Sequence, residues 1–174
     1  MPPKESFSAG LWAALRALEI DNTLAETHAL LGQFCKIRDY DWSEVQREFT
    51  LALKLNPASL LVKFRHAISG LMPVGRLDEA VAELEAVLDL DPLNLEARRW
   101  LGLMYWWRRD YDRAIEQAQL ILAVEPNYPT AHVLIGVTRC AQRRFAEAIP
   151  ELRKCVELSN RAPVWLGWLG LGNL

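Results

Sequence analysis

Apolar residues recur along this chain at three- and four-residue intervals, in blocks of about a dozen positions separated by short polar turns. The stretch Leu95 to Asn127 holds two such blocks joined by Arg108-Arg109-Asp110 and closed by Glu125-Pro126. This spacing is that of one face of a helix, and the residue before a proline is driven out of helical geometry, so the pattern predicts two helices and a stop. The same landmarks return elsewhere at a fixed distance. Ala80, Ala114 and Ala148 lie 34 residues apart, as do Gly102, Gly136 and Gly170, and Pro92 and Pro126, with Asn160 in the place of a third proline. A period in the range of roughly 20–50 residues marks an array of stacked units.

Taken in order, the chain opens with a helical block, Gly10 to Ile20, that runs into Asp21-Asn22 as a second helix does elsewhere. Thr23 to Glu26 has the form of a capping box, as does Ser43 to Gln46. The helix after the first carries Leu30-Leu31-Gly32 and ends near Arg38; the helix after the second carries Val45, Phe49 and Ala52 and ends at Asn56-Pro57. The block Leu60 to Met72 has Ile68 where other copies have glycine, and Pro73 ahead of Gly75 predicts a kink or an early stop. Arg76 to Leu90 is a regular helix with Ala80, Leu84 and Val87 on its buried face, and Pro150 predicts a bend just past the first turn of a later one. The resulting division is a partial unit at 10–22, complete units at 23–57, 58–92, 93–126 and 127–160, and the first helix of a truncated unit at 161–174.

The residues at fixed places are Leu101, Gly102 and Tyr105, then Tyr111 to Ile115, then Glu-Pro; the next copy shows Ile135, Gly136, Phe145, Ala148 and Ile149. This set resembles the tetratricopeptide repeat, a helix–turn–helix unit of about 34 residues. The resemblance implies an all-α, right-handed superhelical solenoid of antiparallel helix pairs, about ten helices in one array, that binds a protein or peptide in its concave groove. First helices line the groove in such proteins. Repeat equivalence then places Glu26, Ala29, Gln33 and Lys36 inward, followed by Val62, Arg65, Ser69 and Met72, by Glu96, Arg99, Leu103 and Trp106, and by Thr130, Val133 and Val137. The expected ligand-binding residues are Gln33, Arg65, Ser69, Met72, Arg99, Leu103 and Trp106, because arginine and tryptophan dominate binding hot spots. Trp106 and Trp107 point about 100° apart, so one of them is expected to pack between repeats. The carboxylate clamp that some such proteins use for chaperone tails is absent: its positions hold Ala29, Gln33, His66, Glu96 and Trp100, and in the next register Arg65, Ser69, Trp100, Thr130 and Leu134, and neither set supplies it. The runs DYDWSEVQREFTLALKLNP and GRLDEAVAELEAVLDLDP are also similar to repeat regions appended to bacterial signalling proteins, among them adenylate cyclases, receptor-type Ser/Thr kinases and winged-helix regulators. That second resemblance implies a regulatory part of a larger bacterial protein.

Composition changes this picture little. Hydrophobic residues make up 51 % and the net charge is −2, so a continuous core is available and no field of one sign marks the chain for nucleic acid or an anionic membrane. No run of about 18 apolar residues is present, and Cys35, Cys140 and Cys155 show no paired spacing, which points to a cytoplasmic segment, with a membrane anchor left to any parent protein. There is no phosphate loop, no G-x-S-x-G and no H-E-x-x-H, so neither an enzyme, a cofactor nor a metal is expected. His28 and His132 occupy equivalent places and read as structural. Arg38, Arg76, Arg108, Arg109, Arg143 and Arg144 recur at turns but interleave with Asp39, Asp41, Asp78, Asp110 and Asp112, which reads as solvated turns. At the C-terminal end Trp165, Leu166, Trp168 and Leu169 leave almost no polar face, and the alternative to ligand capture is self-association of two copies through them.

Overall fold

The computed structural model describes residues 3–38 and 41–159, and every regular element among them is helical. The chain divides into two compact units, Met1–Val87 and Leu88–Leu174.

The first unit contains α1 (Pro3–Ile20), α2 (Ala25–Arg38), α3 (Trp42–Leu55), α4 (Leu60–Arg65) and most of α5 (Leu77–Leu90). Helix α1 starts earlier than its apolar block, with Pro3 in the first turn, where a missing N–H breaks no helical bond. The two predicted capping boxes are built differently from expectation. Thr23 gives both its backbone N–H (2.9 Å) and its hydroxyl (2.6 Å) to Asp21 Oδ1 instead of capping α2. Asp41 caps α3 by accepting from the N–H groups of Ser43 and Glu44, and the Ser43 hydroxyl also donates to it. A carboxylate two residues ahead outcompetes the hydroxyl as acceptor, because charge-assisted bonds are the stronger ones. These bonds hold the Asp21 and Asp41 carboxyls below their ordinary range.

Phe49 is the centre of this unit and is fully buried. It fits because Gly32 on α2 and Gly70 both present bare backbone to its ring: a Cβ at either would lie 3.1 Å from a ring carbon. The helix that follows α3 is broken as Pro73 predicts. Helix α4 gives way at His66 to a π-helical turn, His66–Leu71, then to a 3₁₀ turn, Met72–Val74. Gln46 Nε2 donates to the Gly70 carbonyl (2.9 Å), satisfying a group in the irregular stretch.

Gly75 then adopts φ 80°, and the Arg76 N–H returns to the Leu71 carbonyl at 3.1 Å. This is a Schellman closure, with the left-handed residue just past the helix. The equivalent turns of the second unit repeat it with arginine in the strained place: Arg109 at φ 61° with Asp110 N–H to Tyr105 (2.9 Å), and Arg143 at φ 60° with Arg144 N–H to Arg139 (2.8 Å).

The second unit consists of α6 (Leu95–Trp107), α7 (Tyr111–Val124), α8 (Pro129–Ala141) and α9 (Phe145–Leu158), after the last turn of α5. Asn94 caps α6 through the Ala97 N–H, and Asp110 caps α7 through the Arg113 N–H. Met104, Ile121, Leu134 and Leu152 are buried between the helices. Helix α9 runs unbroken through Pro150.

Equivalent side chains tie first to second helices within each unit. His132 Nε2 meets the Pro126 carbonyl (3.2 Å) while Nδ1 meets Glu151 (2.7 Å); His28 does the same with Asn22 (3.0 Å) and Glu48 (2.7 Å). In the copy at 93–126 Arg98 takes the place of histidine, donating to the Pro92 carbonyl (2.9 Å) and to Gln117 (3.0 Å). The histidines are therefore structural ties. Among the described residues no group of three or more His, Cys, Asp or Glu side chains is placed to share a metal ion, and no helix is long and apolar enough to cross a membrane.

Candidate binding site

The two first helices of the second unit, α6 and α8, enclose a cavity of ≈ 260 Å³. Its walls are Arg99, Leu103, Trp106 and Trp107 from α6, and Thr130, Val133, Leu134 and Val137 from α8. On each helix these positions follow the three-, four- and seven-residue intervals of one face, so the cavity is a direct product of helical periodicity. Small volume and apolar walls suit one large side chain; sites for drug-sized ligands run to about 300–1,000 Å³.

Arg99 contributes less charge than its identity implies. Its guanidinium is paired with Glu96 on the same helix (2.6 and 3.3 Å) and lies 4.5 Å from the centroid of the Trp100 ring. What it offers the cavity is mainly its aliphatic stem. Two polar atoms at the site, the Trp106 indole Nε1 and the Thr130 hydroxyl oxygen, are shut off from solvent and find no hydrogen-bond partner among the described residues. Leaving such a group unsatisfied costs about 1–3 kcal/mol, which folding tolerates where the surrounding surface has another use.

Three of the expected binding residues, Arg99, Leu103 and Trp106, come together here, with Thr130, Val133 and Val137 opposite. Trp107 and Leu134 were not foreseen as lining residues. Both tryptophans border the cavity, Trp107 being 43 % exposed, because adjacent residues about 100° apart can flank one opening from two sides. Leu134 is 1 % exposed and serves core and cavity floor together.

The other expected residues belong to the first unit. Gln33 and Met72 are half-buried, and Ser69 is 1 % exposed, its hydroxyl accepting from Lys36 Nζ at 3.3 Å. Arg65 is half-buried, and desolvation pushes its guanidinium below the ordinary range against the opposing pull of Glu26. Trp165, Leu166, Trp168 and Leu169 lie outside the described residues.

Helix pairs closed by equivalent turns and tied by equivalent side chains define a helix–turn–helix repeat protein. The chain belongs to the tetratricopeptide repeat family: the family model described as tetratricopeptide repeat matches residues 71–132 and 105–163, together more than half of the chain. It is an interaction module of that type. Among curated proteins it is similar to Hsp70-Hsp90 organizing protein 2 of Arabidopsis thaliana, 26 % identical over 106 residues, which is 61 % of this chain and 18 % of that protein. It is also similar to tetratricopeptide repeat protein 13 of Homo sapiens, 31 % identical over 87 residues, 50 % of this chain and 10 % of the relative. The matched part thus spans less than a fifth of either relative. Among solved structures, MamA superposes with a TM-score of 0.70 at 20 % identity, covering 91 % of both chains. PilW, a type IV pilus biogenesis factor, gives 0.82 at 15 % identity over 98 % of this chain and 83 % of its own. YrrB, a TPR protein with an unusual peptide-binding site, gives 0.69 at 19 % identity over 94 % and 83 %. At these identities the likeness is one of fold.

Proposed function

We propose that the chain captures a peptide segment of a partner protein by seating one bulky apolar side chain in the cavity between α6 and α8. The observation that carries this reading is the cavity itself: ≈ 260 Å³, walled chiefly by Leu103, Trp106, Val133, Leu134 and Val137 on rigid helices. A site preformed on helices loses little conformational freedom on binding, so burial of the anchor is converted efficiently into affinity. The matched repeats occupy 18 % and 10 % of the curated relatives, which supports a second element of the proposal, that this array serves as the regulatory, partner-binding part of a longer protein.

The test is a peptide-display selection against the immobilised chain, followed by titration of the selected peptides. They are expected to share one large apolar residue whose replacement by alanine weakens binding at least tenfold, about 1.4 kcal/mol. Leu103→Glu and Val133→Glu, both at half-buried positions, are expected to weaken the same peptides to a similar degree with circular dichroism unchanged. Peptides that bind both folded variants as tightly as the parent chain would remove the cavity from the mechanism.

A further inference from the structure

The turns that close the two helix pairs of the second unit carry a surface that the cavity does not use. Helix α7 returns the chain between α6 and α8, so α6 and α8 run in the same direction and their closing turns lie at one end of the unit. That end gathers residues 108–114 and 142–148, which hold five arginines, Arg108, Arg109, Arg113, Arg143 and Arg144, against the carboxylates of Asp110, Asp112 and Glu147. The chain as a whole has a net charge of −2, so this positive excess exists only where folding brings the turns together.

The carboxylates are largely committed. Glu147 is shared by Arg144 (2.6 and 2.8 Å) and Arg139 (3.5 Å), and Asp110 caps α7 and faces Arg113 at 3.7 Å. Arg109 and Arg143 are exposed, and neither guanidinium has a hydrogen-bond or ion-pair partner among the described residues. Both stand in the left-handed place of their turns, φ 61° and 60°, which Gly75 fills in the first unit. Glycine escapes the steric penalty that a side chain meets there. Twice, 34 residues apart, the chain thus keeps a strained and unpaired arginine where glycine would be relaxed, and backbone strain of this kind gathers at functional sites. Each of these arginines is within two residues of an exposed aromatic ring, Trp107 (43 %) or Phe145 (41 %).

We propose that this end of the second unit docks on an anionic lipid surface, Arg109 and Arg143 meeting the headgroups while the Trp107 and Phe145 rings enter the interfacial layer. A bilayer offers both chemistries over one broad face: negative headgroups attract guanidinium groups, and the layer beneath them takes up tryptophan and phenylalanine. A nucleic-acid strand or an acidic protein segment would answer the arginines, but such threads are held best by a groove, and these are the tips of helix pairs. Two free cations and two rings give reversible, salt-sensitive association, not anchorage. The inference does not rest on occupation of the α6–α8 cavity, so either can fail alone.

The experiment is co-sedimentation of the full chain with vesicles of phosphatidylcholine alone and of phosphatidylcholine with phosphatidylserine, beside anisotropy titrations of labelled polyuridylate and polyglutamate. Partition onto the anionic vesicles is expected to exceed that onto neutral ones at least tenfold and to fall as salt is raised. Arg109→Gly with Arg143→Gly is expected to lose that preference while melting no lower than the parent, and Arg109→Asn with Arg143→Asn, a second pair that tolerates the left-handed place, to behave alike. Arg16→Ala with Arg47→Ala removes the same charge from the first unit and is expected to keep partition within about twofold of the parent. Lipid brominated in its acyl chains is expected to quench the tryptophan emission, and less so in Trp107→Phe; Phe145→Ala should weaken partition several-fold. The proposal is overturned by equal partition onto neutral vesicles, by an unchanged preference in both turn pairs, or by an equal loss in the first-unit control. Quenching unaltered by Trp107→Phe, or polyuridylate or polyglutamate binding more tightly than the anionic vesicles, would also overturn it.

Discussion

Gly136→Ala tests the packing of α8 on α9. An added Cβ would lie 2.6 Å from both Cγ and Cδ2 of Leu152 and 3.4 Å from the Ala148 carbonyl oxygen. Cγ is the branch point of the leucine and Leu152 is 1 % exposed, so a simple turn of its terminal methyls cannot relieve the contact. Overpacking of this kind costs about 1–3 kcal/mol, while replacing a mid-helix glycine by alanine returns about 1 kcal/mol of helix propensity. The expected net is a loss of roughly 1 kcal/mol, or about 2–4 °C in melting temperature. Gly32→Ala supplies the comparison. Its new Cβ meets ring carbons of Phe49 at 3.1 and 3.2 Å, a contact that a few tenths of an ångström relieve, so this variant should be the more stable of the two.

A double-mutant cycle isolates the cause. Leu152→Ala alone should cost about 2–5 kcal/mol, and in that background Gly136→Ala should turn stabilising by about 1 kcal/mol, because the clash is gone and the propensity gain remains. Urea denaturation followed by far-UV circular dichroism measures each corner. A coupling below about 0.5 kcal/mol, the usual limit of additivity, would refute the reasoning even if Gly136→Ala were destabilising.

Three further outcomes follow from other parts of the molecule. Arg109→Gly and Arg143→Gly, each at a left-handed turn position, should gain about 0.5–1 kcal/mol by thermal denaturation, the left-handed penalty exceeding the entropy cost of glycine; a loss in both would contradict the turn geometry. His28→Ala should cost more than His132→Ala, because it strips a partner from Glu48, whose side chain is 4 % exposed, whereas Glu151 at 32 % finds water; an ordering within about 1–3 kcal/mol is read from denaturation midpoints, and the reverse order would sink the tie model. Burial raises the Cys155 thiol from 9.0 to about 11. Its contribution to stability is therefore fully present below the unfolded value near 9 and is lost as pH climbs toward 11. At pH near 8, a thiol reagent should leave Cys155 unlabelled until the protein is denatured, and rapid labelling of the native chain would show the buried site to be open.

Much of this architecture can be read from the chain because its information is local and repeated. The 34-residue period, the alternation of apolar faces and Pro73 are properties of short segments, and each needs only helical geometry to be interpreted. The same periodicity carried Arg99, Leu103, Trp106, Thr130, Val133 and Val137 to one face, and these residues meet at one cavity. Other features depended on which groups compete or meet in the folded chain. Asp21 and Asp41 displace Thr23 and Ser43 as turn acceptors because a carboxylate competes better, and Trp107 joins Trp106 because of the opening between two helices. His28, Arg98 and His132 perform one task with two chemistries, which no single motif announces, since the partner lies about 20 residues away on the next helix. Ser69 looked like a groove residue by position; packing buries it and turns it into the support for Lys36. A repeat states which face a side chain occupies, but burial, partner and charge state arise from neighbours that meet only when the chain has folded.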